Sequence, residues 1–486
     1  MTTHPSTPDP SPEPDEKLSL NTKLAYGAGD LGSAITANIL GFFLLFFFTN
    51  VAGIGAGLAG SILLIGKIWD AVNDPIVGVL SDRTRSRWGR RYPWMIYGAI
   101  PFGITFFLQW IVPRFSNEPT ANQWGLFWYY VAIAILFNTF YTIVNLPYTA
   151  LTPELTQDYN ERTSLNSFRF AFSIGGSILS VLLVIAIASQ ISNLEQQYLV
   201  IGAVCSVISV LPIFWCIWGT KDRVAVTEAQ RQQTPEEAPI PLFQQLQIVF
   251  SNRPFLYVIG IYLCSWLAVQ LTASILKYFV IDWMKFSDQV SNMVILAVQA
   301  TALIMLFVWS RVSERVGKKA VYFMGMGVWI IAQAGLFFLQ PGQMGLMYGL
   351  AIMAGFGVST AYLVPWSMLP DVIELDELET GQRREGIFYA FIVLLQKIGL
   401  AIGLFLVGLS LETSGFIEAV SGEPPPVQPD SALLAIRVAI GPLPTLALIG
   451  GLILAYFYPI TRDVHTEILL RLREKREAQR RGRDEG

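Results

Sequence analysis

The 486-residue chain is 53% apolar and only 14% charged, with a formal net charge of −3 and a mean hydropathy of +0.48. Soluble domains carry roughly 25% charged residues, so this composition excludes a soluble globular protein and points to an integral membrane protein. The two histidines, His4 and His465, fall in polar tails, which excludes histidine metal sites and catalytic triads within the membrane.

The N-terminal "MTTHPSTPDPSPEPDE" is polar, Pro-rich and acidic, with no basic stretch leading into an apolar one, so no cleaved signal peptide is expected. Twelve apolar runs then follow, near 28–51, 57–80, 93–113, 124–150, 168–190, 198–219, 254–283, 289–310, 319–340, 344–369, 386–411 and 434–460. Most reach the roughly 20 residues that a hydrocarbon core of about 30 Å demands. Six lie on either side of the hydrophilic stretch 221–246, which has the composition of a linker. The expected organisation is all-α. A disordered tail (1–21) leads into a six-helix bundle (22–220), a cytoplasmic linker (221–250), a second six-helix bundle (251–461) and a basic tail (462–486).

In the first span, Asp30 sits among Gly27, Gly29 and Gly32 and is open between a functional acid and a packing or hinge feature. The second span carries the strongest signal, "GKIWDAVNDP", in which Lys67, Asp70 and Asp74 are spaced i, i+3, i+7 and share one helix face. Each ionised group at mid-membrane costs about 2.5–3.5 kcal/mol on insertion scales, so this face must look into the bundle or a wet cavity. Two carboxylates one turn apart repel unless a bound cation, a shared proton or basic partners such as Lys67 neutralise them. A plain ion-pair staple of Lys67 on Asp70 is the bland alternative, but one lysine cannot balance two acids.

The fourth span offers Thr142 as an oxygen ligand, with Asn145 nearby and Pro147 loosening the helix. In the fifth, Arg169 either points into a cavity or snorkels. Cys205, Cys216 and Cys264 lie in apolar segments without C-x-x-C spacing and read as packing residues. Tyr362 and Trp366 are candidates to line a cavity in the second half, with packing as the alternative. Lys397 lies too deep in the eleventh span to snorkel easily, and reads as a functional cation or the partner of an unseen acid. No phosphate-binding loop and no H-E-x-x-H occurs, so neither a self-contained ATP-driven pump nor an enzyme is expected.

Lysine and arginine concentrate in the loops after even-numbered spans, which predicts that both termini are cytoplasmic, in the plasma (inner) membrane. The arginine-rich 471–483 agrees, and either contacts anionic lipid or is simply solvated. The halves echo each other. "GVLSDRTRSRWGRRYPW" (78–94) parallels "VWSRVSERVGKKAVYF" (308–323), and "LTPELTQDYNER" (152–163) parallels "MLPDVIELDELETGQRRE" (368–385). Such repeats are typical of alternating-access transporters. In the loop 81–91, Asp82, Arg83, Arg87, Arg90 and Arg91 are expected to act as a gating latch, pairing across the cytoplasmic helix ends, with solvated charges as the alternative.

"KLAYGAGDLGS", "KIWDAVNDPIVG", "RSRWGRRYPW", "FYTIVNLPYTAL" and "EGIFYAFIVLLQKIGLAIG" together resemble the glycoside–pentoside–hexuronide:cation symporters of the major facilitator superfamily, over residues 22–460. The resemblance implies the major facilitator fold of two six-helix bundles, a cation site at Asp70, Asp74 and Thr142 with Lys67 as counter-charge, and Arg169 and Lys397 in the substrate cavity. Where the family's melibiose-transporting members hold sugar with two aspartates and a tryptophan, this chain has Ala34, Asn145 and Thr149. "LPYTAL", "VGKKAVYF" and "LVPWSMLPDVIE" also resemble the sodium-dependent lysophosphatidylcholine symporters. The expected function is symport of a sugar or glycoside with sodium or a proton; a lysophospholipid or other amphipathic solute is the runner-up. No organic cofactor or nucleic-acid partner is expected, and the chain is expected to be a monomer contacting membrane lipid.

Overall fold

A computed structural model describes residues 17–86, 88–156, 159–231, 242–381, 385–418 and 426–484, and among these the chain is helical with no strand. Ten helices among the described residues are long and apolar enough to cross a membrane. In chain order they include α1 (Leu20–Asn50), α4 (Pro119–Thr149), α5 (Tyr159–Ala188) and α6 (Leu194–Arg231) in the first half. The second half adds α7 (Arg253–Trp283), α8 (Asp288–Val316), α9 (Lys318–Phe338), α10 (Met344–Thr380), α11 (Glu385–Thr413) and α12 (Asp430–Phe457). Two more complete the set of twelve. They are α2 (Ala56–Arg83), long enough but carrying the charged face, and α3 (Tyr92–Leu108), at the short limit. A final amphipathic helix, α13 (Arg462–Asp484), follows.

Local chemistry sets the helix ends. The Ser19, Asn252 and Ser287 side chains accept from the Thr22, Phe255 and Val290 amides at the starts of α1, α7 and α8. Gly381, at φ +73°, closes α10 in the left-handed conformation. The helices exceed the apolar runs at the end where both chain termini lie, here called the terminal end. Residues 221–231, expected in the linker, continue α6, because nothing after Trp218 breaks the helix before Arg231. Leu242–Ser251 is helical too, and 232–241 lie outside the described residues. Likewise α10 runs past the predicted limit of 369 to Thr380, through Pro370. The expected N-terminal tail falls largely on residues 1–16, outside the described residues, and the helix already begins at Leu20. The basic tail forms α13, which buries Ile468 and Leu472.

The two halves meet pairwise, α2 on α11 and α5 on α8, with α1 against α7 between them. This is a two-fold pattern of corresponding helices. Both α1 and α7 contain one π-helical turn, at Leu40–Leu44 and Phe279–Trp283. At the end opposite the termini, here the far end, α2 and α11 approach backbone to backbone at Gly60 and Gly408. A Cβ on Gly408 would stand 2.6 Å from the Ala56 carbonyl oxygen and 2.9 Å from Gly60 Cα. The far end is tied further by Thr49–Tyr278 at 2.7 Å and by the Ala56 amide on Glu418 at 3.1 Å. Lys277 is wholly buried there. It donates to Tyr198 at 2.7 Å, pairs with Asp288 at 2.6 Å and lies over Phe43 and Phe46. On the same two helices Val79, Leu80 and Tyr389, toward the terminal end, are exposed.

Because backbone atoms line the Gly60–Gly408 crossing, no rotamer change can make room for a side chain. Gly408→Leu should therefore prise the far end open, at an overpacking cost of about 1–3 kcal/mol. A cysteine placed at Glu412 should then react faster with a membrane-impermeant thiol reagent than in the Gly408 background; equal labelling would contradict the crossing.

Candidate functional site

The charged face of α2 meets a polar stripe on α4, Asn138, Thr142 and Asn145, spaced i, i+4, i+7. Asp70 is fully buried, at 0% exposure, while Asp74 keeps 22% of its side chain accessible. Thr142 Oγ1 lies 3.2 Å from Asp70 Oδ1 and 2.9 Å from Asp74 Oδ1, so one hydroxyl bridges the two carboxylates. Lys67 sits 3.4 Å from Asp70 Oδ2 and donates to Asn138 Oδ1 at 3.0 Å. Asn138 is in turn fixed by donating to the Ala134 carbonyl at 2.7 Å. Beside the cluster, Trp69 Nε1 donates to Thr139 at 2.8 Å, a second tie between α2 and α4.

The decisive partner comes from the other half. Lys397 of α11 reaches Asp74 Oδ2 at 2.5 Å and Asp70 Oδ1 at 3.0 Å. Of the readings open for it, functional cation in the cavity or partner of an unseen acid, the geometry supplies the acids: the ammonium lies on the two carboxylates. Two aspartates and two lysines bring formal charge to zero, which resolves the shortfall that Lys67 alone leaves. Such a cluster is stable only while complete, since removing one member of a buried pair leaves an uncompensated charge.

The other expected residues separate into two groups. Asn145 accepts from Ser33 at 3.1 Å and faces the Tyr141 hydroxyl at 3.4 Å. Arg169 lies 3.6 Å from Asp30 and 5.8 Å from the Tyr148 ring centroid, and its Nε has no hydrogen-bond partner. These form a polar wall in the first half. Thr149 only donates back to the Leu146 carbonyl of its own helix. Ala34 is buried, and a Cβ on Gly176 of α5 would stand 3.1 Å from its methyl, so it lies at a helix–helix contact. In the second half, Tyr362 stacks edge-on to Trp266 at 5.2 Å, and Trp366 lies between Tyr262 and Tyr389 at 6.1 and 6.0 Å. Tyr362 and Tyr389 expose part of this aromatic wall.

The expected latch residues behave unequally. Arg90 and Arg91 both reach Glu154, at 2.7 and 3.2 Å, and Arg91 also donates to Ser81 at 3.0 Å. These partners sit at the ends of other helices of the first half, so the two arginines do pair across helix ends there. Arg83 is exposed, whereas the Asp82 side chain and Arg87 lie outside the described residues. The second half repeats the device. Lys318 holds both oxygens of Asp371 at 2.6 and 2.9 Å and donates to the Ser367 carbonyl. Gly89 and Gly317 precede the basic pairs with matching φ of +84° and +87°. The sequence echo is therefore a physical one: a base after a left-handed glycine grips an acid after a proline. Glu154 and Asn138 were missed by sequence reasoning. Pro153–Glu154 matching Pro370–Asp371, and the four-residue spacing of Asn138 from Thr142, were the available signals.

A sequence profile described as MFS/sugar transport protein matches residues 25–462. An uncharacterized symporter of Synechocystis sp., sll1374, is 55% identical, the match covering 95% of this chain and 98% of that protein. The sodium-dependent lysophosphatidylcholine symporter 1 of Mus musculus is 27% identical over 93% of this chain and 88% of its own length. The putative glycoside/cation symporter YagG of Escherichia coli is 28% identical over 94% and 95%. Among solved structures, the nucleoside transporter NupG superposes with a TM-score of 0.62 at 13% identity, covering 90% of this chain and 99% of that one, a likeness of fold.

The shared ammonium predicts non-additive energetics. Lys397→Met should destabilise the detergent-solubilised protein by about 3–5 kcal/mol, the cost of stranding one side of a buried pair. Adding Asp74→Asn to that variant should recover part of the loss, and thermal melting of the two singles and the double would measure it. Strict additivity would mean that the Lys397–Asp74 contact carries no energy.

Proposed function

The chain belongs to the MFS/sugar transport protein family, and from that premise we propose that it is a cation-coupled symporter of a sugar or glycoside working by alternating access. It is an integral, multi-pass membrane protein of a family of secondary transporters. In our reading the coupling cation, sodium or a proton, binds at Asp70 and Asp74 with Thr142 as third ligand, and Lys67 is the standing counter-charge.

One observation carries this reading: Lys397 of the second half occupies the carboxylates of the first. An ammonium and a monovalent cation bring the same charge, so each neutralises the site and the two compete for it. Binding of the cation releases Lys397, which unties α11 from α2 and frees a positive group for the solute. That exchange links cation occupancy to the relation between the halves, which is what coupling requires. Both termini are cytoplasmic in this reading, so the sealed far end faces outward and the conformation is inward-facing. The Arg90–Glu154 and Lys318–Asp371 clasps, with Asp82, Arg83 and Arg87, gate the cytoplasmic end, and the membrane is the plasma (inner) membrane.

The solute site is the space between the polar wall of Asp30, Arg169 and Asn145 and the aromatic wall of Trp266, Tyr362, Trp366 and Tyr389. A hydroxyl-rich solute suits it, because polar groups face one side and the exposed ring faces of Tyr362 and Tyr389 can stack on sugar C–H surfaces. A second reading, a lysophospholipid, draws on the absence of carboxylates at Ala34, Asn145 and Thr149 and on the relative named as a lysophosphatidylcholine symporter.

In proteoliposomes, Asp74→Asn should reduce cation-stimulated uptake at least tenfold; stimulation equal to wild type refutes the cation site. Solute counterflow should be present in the wild type, and its absence for every solute tried would favour a non-transporting scaffold. Thermal-shift screens of glycosides against lysophosphatidylcholine, with and without sodium, should give a cation-dependent rise for a glycoside. A rise confined to the lysolipid reverses the choice of substrate.

A further inference from the structure

Away from the central cluster, His465 of α13 stands over the terminal-end part of α10. Its Nε2 lies 2.6 Å from Glu374 Oε2 and 3.3 Å from Asp371 Oδ1. One donor atom from each of the three residues falls within 4.8 Å of the others. We propose that Asp371, Glu374 and His465 form a binding site for a divalent transition-metal ion, which fastens α13 to α10. The proposal is independent of the transport reading.

The donor spacing fits the ion. Bonds of about 2.0–2.2 Å to nitrogen and oxygen set neighbouring ligand atoms roughly 3.4 Å apart in a tetrahedral site. The His465–Asp371 separation already matches. The His465–Glu374 contact has only to open slightly, and both side chains are about a quarter exposed, at 26% and 25%, which leaves them room to turn and the ion a way in. Asp371, by contrast, is buried and held by Lys318, itself anchored on the Ser367 carbonyl. It supplies a fixed ligand while the other two close.

Charge and chemistry narrow the choice of ion. Two carboxylates against one lysine leave a net negative site when the imidazole is neutral. An imidazole beside two carboxylates selects the nitrogen-accepting ions from manganese to zinc over magnesium or calcium, which prefer all-oxygen sets. The mechanical consequence follows from α13, which already lies as a strap. Arg462 donates to the Arg315 carbonyl of α8, Lys475 to the Leu378 carbonyl of α10, and Ile468 and Leu472 are buried. An ion at its first turn locks that strap beside the Lys318–Asp371 clasp.

The test uses the full chain, purified in detergent with a non-histidine affinity tag and titrated with Co²⁺. The expected result is a visible d–d absorption band saturating at one equivalent, with a raised melting temperature. His465→Ala and Glu374→Gln should each weaken Co²⁺ binding at least tenfold, while Asp74→Asn leaves it unchanged. Absence of a stoichiometric band in the wild type overturns the proposal, leaving a hydrogen-bonded clasp only. So does a band that persists undiminished in Glu374→Gln, a near-isosteric change whose metal-free melting curve reports whether it folds. Loss of the band in Asp74→Asn, with the His465 and Glu374 variants unaffected, would assign the ion to the central aspartates and overturn it as well.

Discussion

Two carboxylates one helical turn apart, one of them sealed from solvent, cannot stand in a membrane-spanning helix without positive charge beside them. The rest of the molecule is arranged around that constraint. Lys67 comes from the same helix and is steadied by Asn138, so it stays beside the acids whatever the second half does. The second charge comes from Lys397 on α11, in the other half of the chain. A requirement of local electrostatics thus becomes a requirement on the relative position of two bundles.

The packing that allows this is built from the smallest residues. At Gly60 and Gly408 the α2 and α11 backbones touch, and this brings Lys397, about three turns along α11, to the level of Asp70 and Asp74. Larger residues at that crossing would hold the helices apart and leave the ammonium short of its carboxylates. Around the crossing, the far end is tied by groups whose hydrogen bonds lie across the two halves, such as Thr49 with Tyr278 and Lys277 with Tyr198. Toward the terminal end the ion pairs instead lie within each half, Arg90 on Glu154 and Lys318 on Asp371. Among the described residues these contacts at the two ends thus differ in what they join.

The sequence discloses those features that hydrophobicity alone would forbid. Charges at 67, 70 and 74 in an apolar run were readable because they violate the surrounding composition, and the glycine before paired bases because it recurs in both halves. The twelve helices were legible for the same reason, since lipid demands apolar length. Helix ends at the terminal side were not. Once past the hydrocarbon, α6 and α10 continue in polar sequence that composition assigns to a linker or loop, and helix propensity carries them on to Arg231 and Thr380. Equally hidden were pairings between distant segments. Lys397 read as a functional cation or the partner of an unseen acid, and its distance of 323 residues from Asp74 hid which acid that is. The close approach of Ala34 to Gly176 is likewise a matter of helix rotation that a single sequence does not encode at one position.

The equal charge of an ammonium and a monovalent cation has a consequence for how the cycle is driven. Burying a bare carboxylate costs several kcal/mol even after relaxation, so any path that empties the site before refilling it meets a high barrier. In the cycle proposed above, exchange would avoid this, because the Asp74 side, still partly open, would admit the entering ion while Lys397 remains on Asp70. Thr142, bonded to both acids, can hold the pair at a constant separation during the exchange. The buried acid then never loses compensation, and the free energy released or absorbed is only the difference between two single charges in the same place. A small difference of that kind is what a reversible transporter needs: large enough to bias one conformation over the other, and too small to trap either.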